Sequence, residues 1–197
     1  GKNWERDLQR VQQELFARPY SAVGEIGLDF YWDMSHVEAQ KEALRLQCAW
    51  AHELGLPVAI HVRNAQSPKI ANCIDAALDL MERLPHPVRG VFHCFTGTRE
   101  QAERALALGF FLGIGGVLTY KNGGINQFIH TLPLEKMVLE TDAPYLAPVP
   151  HKGARNSSEY IPIIAQELAR LCGVSFEEVQ HKTTAAAWAL FARQQTS

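Results

Sequence analysis

The stretch Gly55-Leu-Pro-Val-Ala-Ile-His-Val-Arg63 holds the junction from which the fold is read. Before it, from about Val37 to Leu54, Leu44, Ala51 and Leu54 are apolar at helical spacing, and Gly55 sits where a helix takes its C-terminal cap, ahead of Pro57. After it, Pro57–Val62 is an apolar run too short for a helix and reads as a buried strand. A helix that stops and a buried strand that starts within a few residues is the mark of alternating β/α architecture.

The same alternation extends both ways. Upstream, Asn3 is placed to cap a helix with Leu8, Val11, Leu15 and Phe16 on one face, and Ser21–Gly27 is a glycine-broken apolar run, a second buried strand. Downstream come a helix near Pro68–Arg83, a strand Gly90–Phe95, and a helix capped by Thr98 with Gln101 three residues later and Gly109 at its end. Strands at Phe110–Gly115 and Lys136–Thr141 follow, separated by a loop and a weak helix. The tail is helical from about Ser158, with Gly173 dividing two helices and Ser175 and Glu178 forming a second capping box.

Five strands alternating with helices, without a composition break between them, predict an α/β fold with parallel strands and right-handed crossovers. The expected architecture is a TIM (β/α)8-type barrel that is incomplete: about five parallel strands with flanking helices in 197 residues, where a full barrel takes about 250. Residues 1–197 are expected to be a single domain, truncated at the N-terminus, whose open sheet edges require the missing strands or a partner for closure.

Composition narrows the class. The chain is 47% hydrophobic and 20% charged, which excludes bulk disorder, and it lacks an apolar run long enough to span a membrane. A net charge of −2 is too balanced for a protein that coats nucleic acid by bulk electrostatics, so any polyanion contact is local. Cys48, Cys73, Cys94 and Cys172 form no C-x-x-C pair and read as reduced thiols; with no targeting segment in Gly1–Arg10, the expected location is cytoplasmic.

Four otherwise apolar strands carry a polar residue toward their C-terminal ends: Glu25, His61, His93 and Asp142. Side-chain alternation pairs Val23 with Glu25, Ala59 with His61, Val91 with His93, and Val138 with Glu140 and Asp142 on shared faces. In a parallel barrel such residues converge at the C-terminal mouth, where active sites sit. Two imidazoles and two or more carboxylates make a mixed N/O site suited to Zn, Mn or Ni and tolerable for Mg, and a carboxylate such as Glu25 can bridge two ions. Burying these groups without an ion would be costly.

The other histidines, His36, His52, His86, His130 and His181, read as surface or capping residues, and His151 falls in the Pro-rich loop 143–156 after the last strand. That loop, with Lys152 and Arg155, reads as a substrate loop; Arg63 and Arg155 are the phosphate candidates because guanidinium groups hold phosphate oxygens bidentately. Tyr31, Trp32 and Tyr145 fit either base stacking or packing at the barrel rim. Gly113-Ile-Gly-Gly116 has neither a dinucleotide nor a P-loop pattern around it.

The strings Gly24-Glu-Ile-Gly-Leu-Asp29, Ile60-His-Val-Arg-Asn64, Phe92-His-Cys-Phe-Thr-Gly97 and Leu139-Glu-Thr-Asp-Ala-Pro-Tyr145, in that order and over nearly the whole chain, resemble the TatD family of metal-dependent deoxyribonucleases. The resemblance implies an amidohydrolase-type TIM barrel with two divalent metal ions per complete site and hydrolysis of DNA phosphodiesters, often as a 3′-5′ exonuclease. DNA, single-stranded or at a 3′ end, would be the substrate partner. By that resemblance Glu25 bridges the metals, His61 and His93 hold one of them, Asp142 holds the other and helps to activate water, and Glu140, Arg155 and Asn156 support the site or bind substrate. Two departures stand out: the family's His-x-His pair is not in this sequence, and Asn156 is followed by Ser157-Ser158 where the family usually has Glu-Pro. The same ligands also suit an ester or amide hydrolase, such as a D-aminoacyl-tRNA deacylase, and a fragment without the first strands suits a catalytically impaired binding module.

Overall fold

A computed structural model describes residues 3–65 and 72–192. The chain forms two compact units, one running to Gly90 and including the chain from Phe191, the other Val91–Leu190.

In the first unit, α1 (Trp4–Ala17) leads to β1 (Val23–Asp29), α2 (Val37–Glu53), β2 (Val58–Arg63) and α3 (Cys73–Glu82). Strands β1 and β2 pair in parallel, and α2 and α3 pack against them. Leu44, Cys48 and Ala51 are wholly buried on α2, which packs on β1, and Leu28, Val58 and Ile60 are wholly buried on the strands. Burying each such aliphatic side chain contributes about 1.5–3 kcal/mol. The α2 boundary falls where the sequence places it, with Leu54 as cap and Gly55 in the left-handed region at φ 64°. Helix α3 starts later than read: Asn72 caps it by accepting from the Ile74 and Asp75 amides, and Pro68 lies outside the described residues.

Two expectations for this unit are overturned. Asn3 precedes α1 but makes no capping hydrogen bond through its side chain, and of the expected apolar face only Leu15 is buried, with Val11 and Phe16 more than 40% exposed. Strict alternation along β1 also fails. Val23 pairs with Val58 and Ile26 with Ile60, so Gly24 and Glu25 stand opposite the single residue Ala59. This bulge turns Glu25 off the buried face that Val23 occupies. The strand also runs on to Asp29, so Glu25 lies near the start of β1, not its C-terminal end.

In the second unit, β3 (Gly90–Phe92), α4 (Arg99–Ala107), β4 (Phe111–Ile114) and β5 (Met137–Leu139) precede α5 (Ile161–Cys172) and α6 (Phe176–Phe191). Strand β4 lies between β3 and β5, parallel to both. Phe92, Leu112 and Ile114 are buried on these strands, as are Ala102 and Ala105 of α4 and Ile164 and Leu168 of α5. The Thr98–Gln101 capping box is complete in both directions. At α6 the Glu178 amide donates to Ser175 Oγ, while the Glu178 carboxylate pairs with Lys182. Between β4 and β5 the expected weak helix is a series of short 3-10 turns from Gly116 to Lys136. All three strands end sooner than read, so His93 follows β3 and Asp142 stands three residues beyond β5.

Among the described residues no helix is long and apolar enough to cross a membrane. None of the four cysteines, all among the described residues, is in a disulfide. Burial pushes Cys48 up to about 12 and Cys73 up to about 11, the latter with its Sγ 3.0 Å from the Leu28 carbonyl oxygen. A raised value keeps the thiol protonated, and thiolate is the nucleophile. Native-state alkylation near neutral pH followed by mass spectrometry therefore leaves Cys48 and Cys73 unlabelled while the denatured chain is labelled at both. Equal labelling of the folded and denatured chain at Cys48 would contradict the packing of α2.

Candidate functional site

In the second unit the chemistry gathers around His93. Its Nδ1 lies 2.9 Å from Glu140 Oε2 and its Nε2 3.1 Å from Asp142 Oδ1. The other Glu140 oxygen accepts a short hydrogen bond from the Cys94 amide. A carboxylate already fixed by a backbone N–H is a natural acceptor for Nδ1–H, and Nε2 then meets Asp142 Oδ1 across a gap that a shared proton or cation would fill. All three side chains are partly buried, at 14%, 18% and 30% exposure for His93, Glu140 and Asp142.

The local backbone is built for this arrangement. Cys94 and Asp142 both adopt left-handed conformations, at φ 46° and 59°. Such conformations cost about 1–3 kcal/mol each and persist only where the surroundings impose them. Both residues make contacts of the site: the Cys94 amide donates to the Glu140 carboxylate, and Asp142 reaches His93 from beyond β5. Gly113 is the third element: a Cβ there would overlap the Glu140 carboxylate, so glycine opens the space in which that carboxylate lies.

Of the two roles open to Asn156, supporting the site or binding substrate, its contacts fit the first. It is 3% exposed, and its Nδ2 donates to the carbonyls of Thr141 and Tyr145, both at 2.6 Å, while its Oδ1 accepts from the Ser157 amide. A side chain so occupied does not present its amide to a substrate; it ties together the two ends of the loop that carries Asp142. Glu140, for which the same two roles were open, spends its carboxylate on His93 and Cys94. Arg155 is exposed on that loop, and Tyr145 is 71% exposed. His151 stacks on Tyr160 with ring centroids 4.2 Å apart.

In the first unit, His61 faces two carboxylates. Its Nδ1 is 3.8 Å from Glu25 Oε2 and its Nε2 is 3.6 Å from Asp29 Oδ2. Both gaps exceed a hydrogen bond. They lie within the roughly 4 Å that two metal–ligand bonds of about 2.1 Å can span. Gly27 pairs with His61 so closely that a Cβ would overlap the His61 carbonyl oxygen, which makes glycine obligatory at the centre of this group. Asp29 was missed as a site residue. The signal was present, because it closes the Gly24–Asp29 motif and is the true C-terminal residue of β1. Arg63, at the end of β2, lies with its guanidinium carbon 3.9 Å above the Tyr31 ring.

The fold and these residues together define a parallel α/β protein of TIM-barrel type that carries imidazole–carboxylate groups at or beyond its strands. The chain belongs to the family described as TatD related DNase, which matches residues 2–192. It is 36% identical over 188 residues to the uncharacterized metal-dependent hydrolase YabD of Bacillus subtilis, covering 95% of this chain and 71% of that protein. It is also 36% identical over 195 residues to the 3′-5′ ssDNA/RNA exonuclease TatD of Citrobacter rodentium, covering 95% and 72%. Among solved structures it is similar to the TatD homologue YJJV from Escherichia coli K12, at 32% identity and a TM-score of 0.85 over 96% of this chain and 71% of that one. Among its curated relatives the chain spans between 60% and 72% of the protein matched.

The role found for Asn156 has a direct consequence. Replacing it with alanine removes three part-buried hydrogen bonds, to the Thr141 and Tyr145 carbonyls and from the Ser157 amide, at about 0.5–1.5 kcal/mol for each. Asn156→Ala should lower the guanidinium unfolding midpoint by an amount equivalent to about 2–4 kcal/mol. A variant that unfolds at the wild-type midpoint would refute the loop-tie assignment.

Proposed function

We propose that this protein is a metal-dependent hydrolase that cleaves phosphodiester bonds of single-stranded DNA from the 3′ end. The observation that carries the reading is the His93 imidazole, oriented through Nδ1 by Glu140 with Nε2 turned to Asp142. An imidazole whose second nitrogen is held by a carboxylate is the arrangement that supports divalent-metal ligation. Family membership and the printed activity of the Citrobacter rodentium relative favour a nucleic-acid phosphodiester over other esters.

The residues present fit divalent ions. His93 and Asp142 in the second unit, and Glu25 and His61 in the first, are the proposed ligands, with Asp29 an added donor. The donor set of imidazole and carboxylate suits Zn, Mn, Ni or Mg. Bound ions would supply Lewis-acid polarisation of the phosphoryl oxygens and make water a stronger nucleophile near neutral pH. The chain's own groups do the rest. Glu140 holds the proton on His93 Nδ1, so Nε2 remains a donor lone pair. Asp142 and Glu25 offer carboxylate oxygens as proton acceptors. Arg63 and Arg155, both exposed, are the proposed phosphate contacts, for which a planar two-point donor is suited. Four cysteines outside any disulfide among the described residues favour a reducing compartment.

Digestion of 5′-labelled single-stranded DNA with added Mn²⁺, Mg²⁺ or Zn²⁺ tests the reading. The expected result is a ladder shortening from the 3′ end, abolished by chelator and reduced by about 100-fold or more in His93→Ala, given that even residues supporting a ligand cost 10–100-fold. Equal digestion by wild type and His93→Ala would overturn it.

A further inference from the structure

We propose that Trp32, held by Tyr31 and Arg63, is a stacking shelf for one unpaired base of a single-stranded nucleic acid, with the Arg63 guanidinium available to the adjacent phosphate. The inference deepens the nuclease reading and rests on it for the class of ligand. Its residues lie in the first unit, on the β1–α2 connection and at the end of β2.

Trp32 is 76% exposed, so packing at a rim, the other use open to it, does not account for its position. An indole left mostly in water gains little from the hydrophobic effect. Its orientation is nevertheless defined: the ring meets Tyr31 edge to face, with centroids 4.9 Å apart and planes at 84°. Arg63 covers the Tyr31 ring at 3.9 Å and comes within 5.4 Å of the Trp32 ring. Among the described residues no carboxylate pairs with Arg63, so its charge is met only by aromatic faces. A planar cation beside an exposed indole offers the two contacts a nucleotide needs, a π-face for the base and a forked donor for the phosphate.

The shelf is also anchored. The Tyr31 amide donates to Asp29 Oδ1 at 2.8 Å, the Phe30 amide donates to the Arg63 carbonyl at 2.9 Å, and Phe30 is 2% exposed beneath them. Asp29 is therefore a positioning residue with two tasks: one oxygen fixes the backbone that presents the shelf, and the other faces His61 Nε2 at 3.6 Å. A base seated on Trp32 would accordingly be held next to the Glu25–His61–Asp29 group.

Stacking a base on an aromatic face is worth about 5- to 100-fold in affinity. The test compares two short fluorescent oligothymidylates with phosphorothioate linkages, which resist cleavage, one intact and one with a series of abasic nucleotides. Binding to the metal-loaded protein is followed by anisotropy. Wild type should prefer the intact strand by about 5- to 100-fold. Trp32→Ala should abolish that preference by losing affinity for the intact strand alone, and Trp32→Phe should restore most of it. A wild-type protein that binds neither strand or both equally, or a Trp32→Ala variant that weakens both by the same factor, would overturn the shelf. Base-dependent binding that vanishes in Trp32→Ala, in a protein that fails to digest phosphodiester DNA, would sustain the shelf and remove the nuclease reading instead.

Discussion

The contact between His93 Nδ1 and the Glu140 carboxylate is the constraint around which the second unit is arranged. Glu140 can make it because Gly113 leaves room where any other residue would intrude. The Cys94 amide holds the same carboxylate from the other side, and Cys94 is itself left-handed directly after His93. Asp142 reaches Nε2 only because the chain makes a second left-handed step three residues beyond β5. Two unfavourable backbone conformations at about 1–3 kcal/mol each are thus retained for one oriented imidazole. That is the balance expected of a functional site, where local strain is offset by the surrounding packing.

The first unit reaches a related outcome by another route. A bulge in β1 turns Glu25 away from the core side it would otherwise share with Val23, and the close pairing of Gly27 with His61 sets the imidazole between Glu25 and Asp29. The N–O separations there are too long for hydrogen bonds, which is what a group of ligands shaped for a cation, rather than for one another, would show. Each unit therefore carries its own imidazole–carboxylate group, and each group depends on a glycine whose missing Cβ permits close approach.

Much of this was legible in the sequence. The α2–β2 junction at Gly55, the Thr98–Gln101 box and the Gly173 break are local signals, and all three fall where the residues put them. Glu25, His61, His93 and Asp142 stood out as polar residues on apolar strands. The failures share a cause: alternation and strand length depend on pairing partners that one segment does not display. The β1 bulge exists because two residues face Ala59, a relation between strands, and without it Glu25 was assigned to the wrong face. Asp29 was passed over because β1 was ended two residues early. For Asn156 the roles of site support and substrate contact stayed open, because a polar residue in a Pro-rich loop gives no hint that two carbonyls, 11 and 15 positions away, will claim its amide. The exposed apolar side of α1 shows the converse, a helical pattern that was real although most of its face stays in solvent.

The central claim is that Glu140 acts through His93, by fixing the imidazole for ligation, and not by touching substrate. Equilibrium titration of Mn²⁺ or Zn²⁺ into wild type, Glu140→Gln and His93→Ala, with no nucleic acid present, tests it most directly. Glu140→Gln should weaken metal binding by about 10- to 100-fold and His93→Ala should weaken it further, while both variants remain folded. Wild-type metal affinity in Glu140→Gln would contradict it.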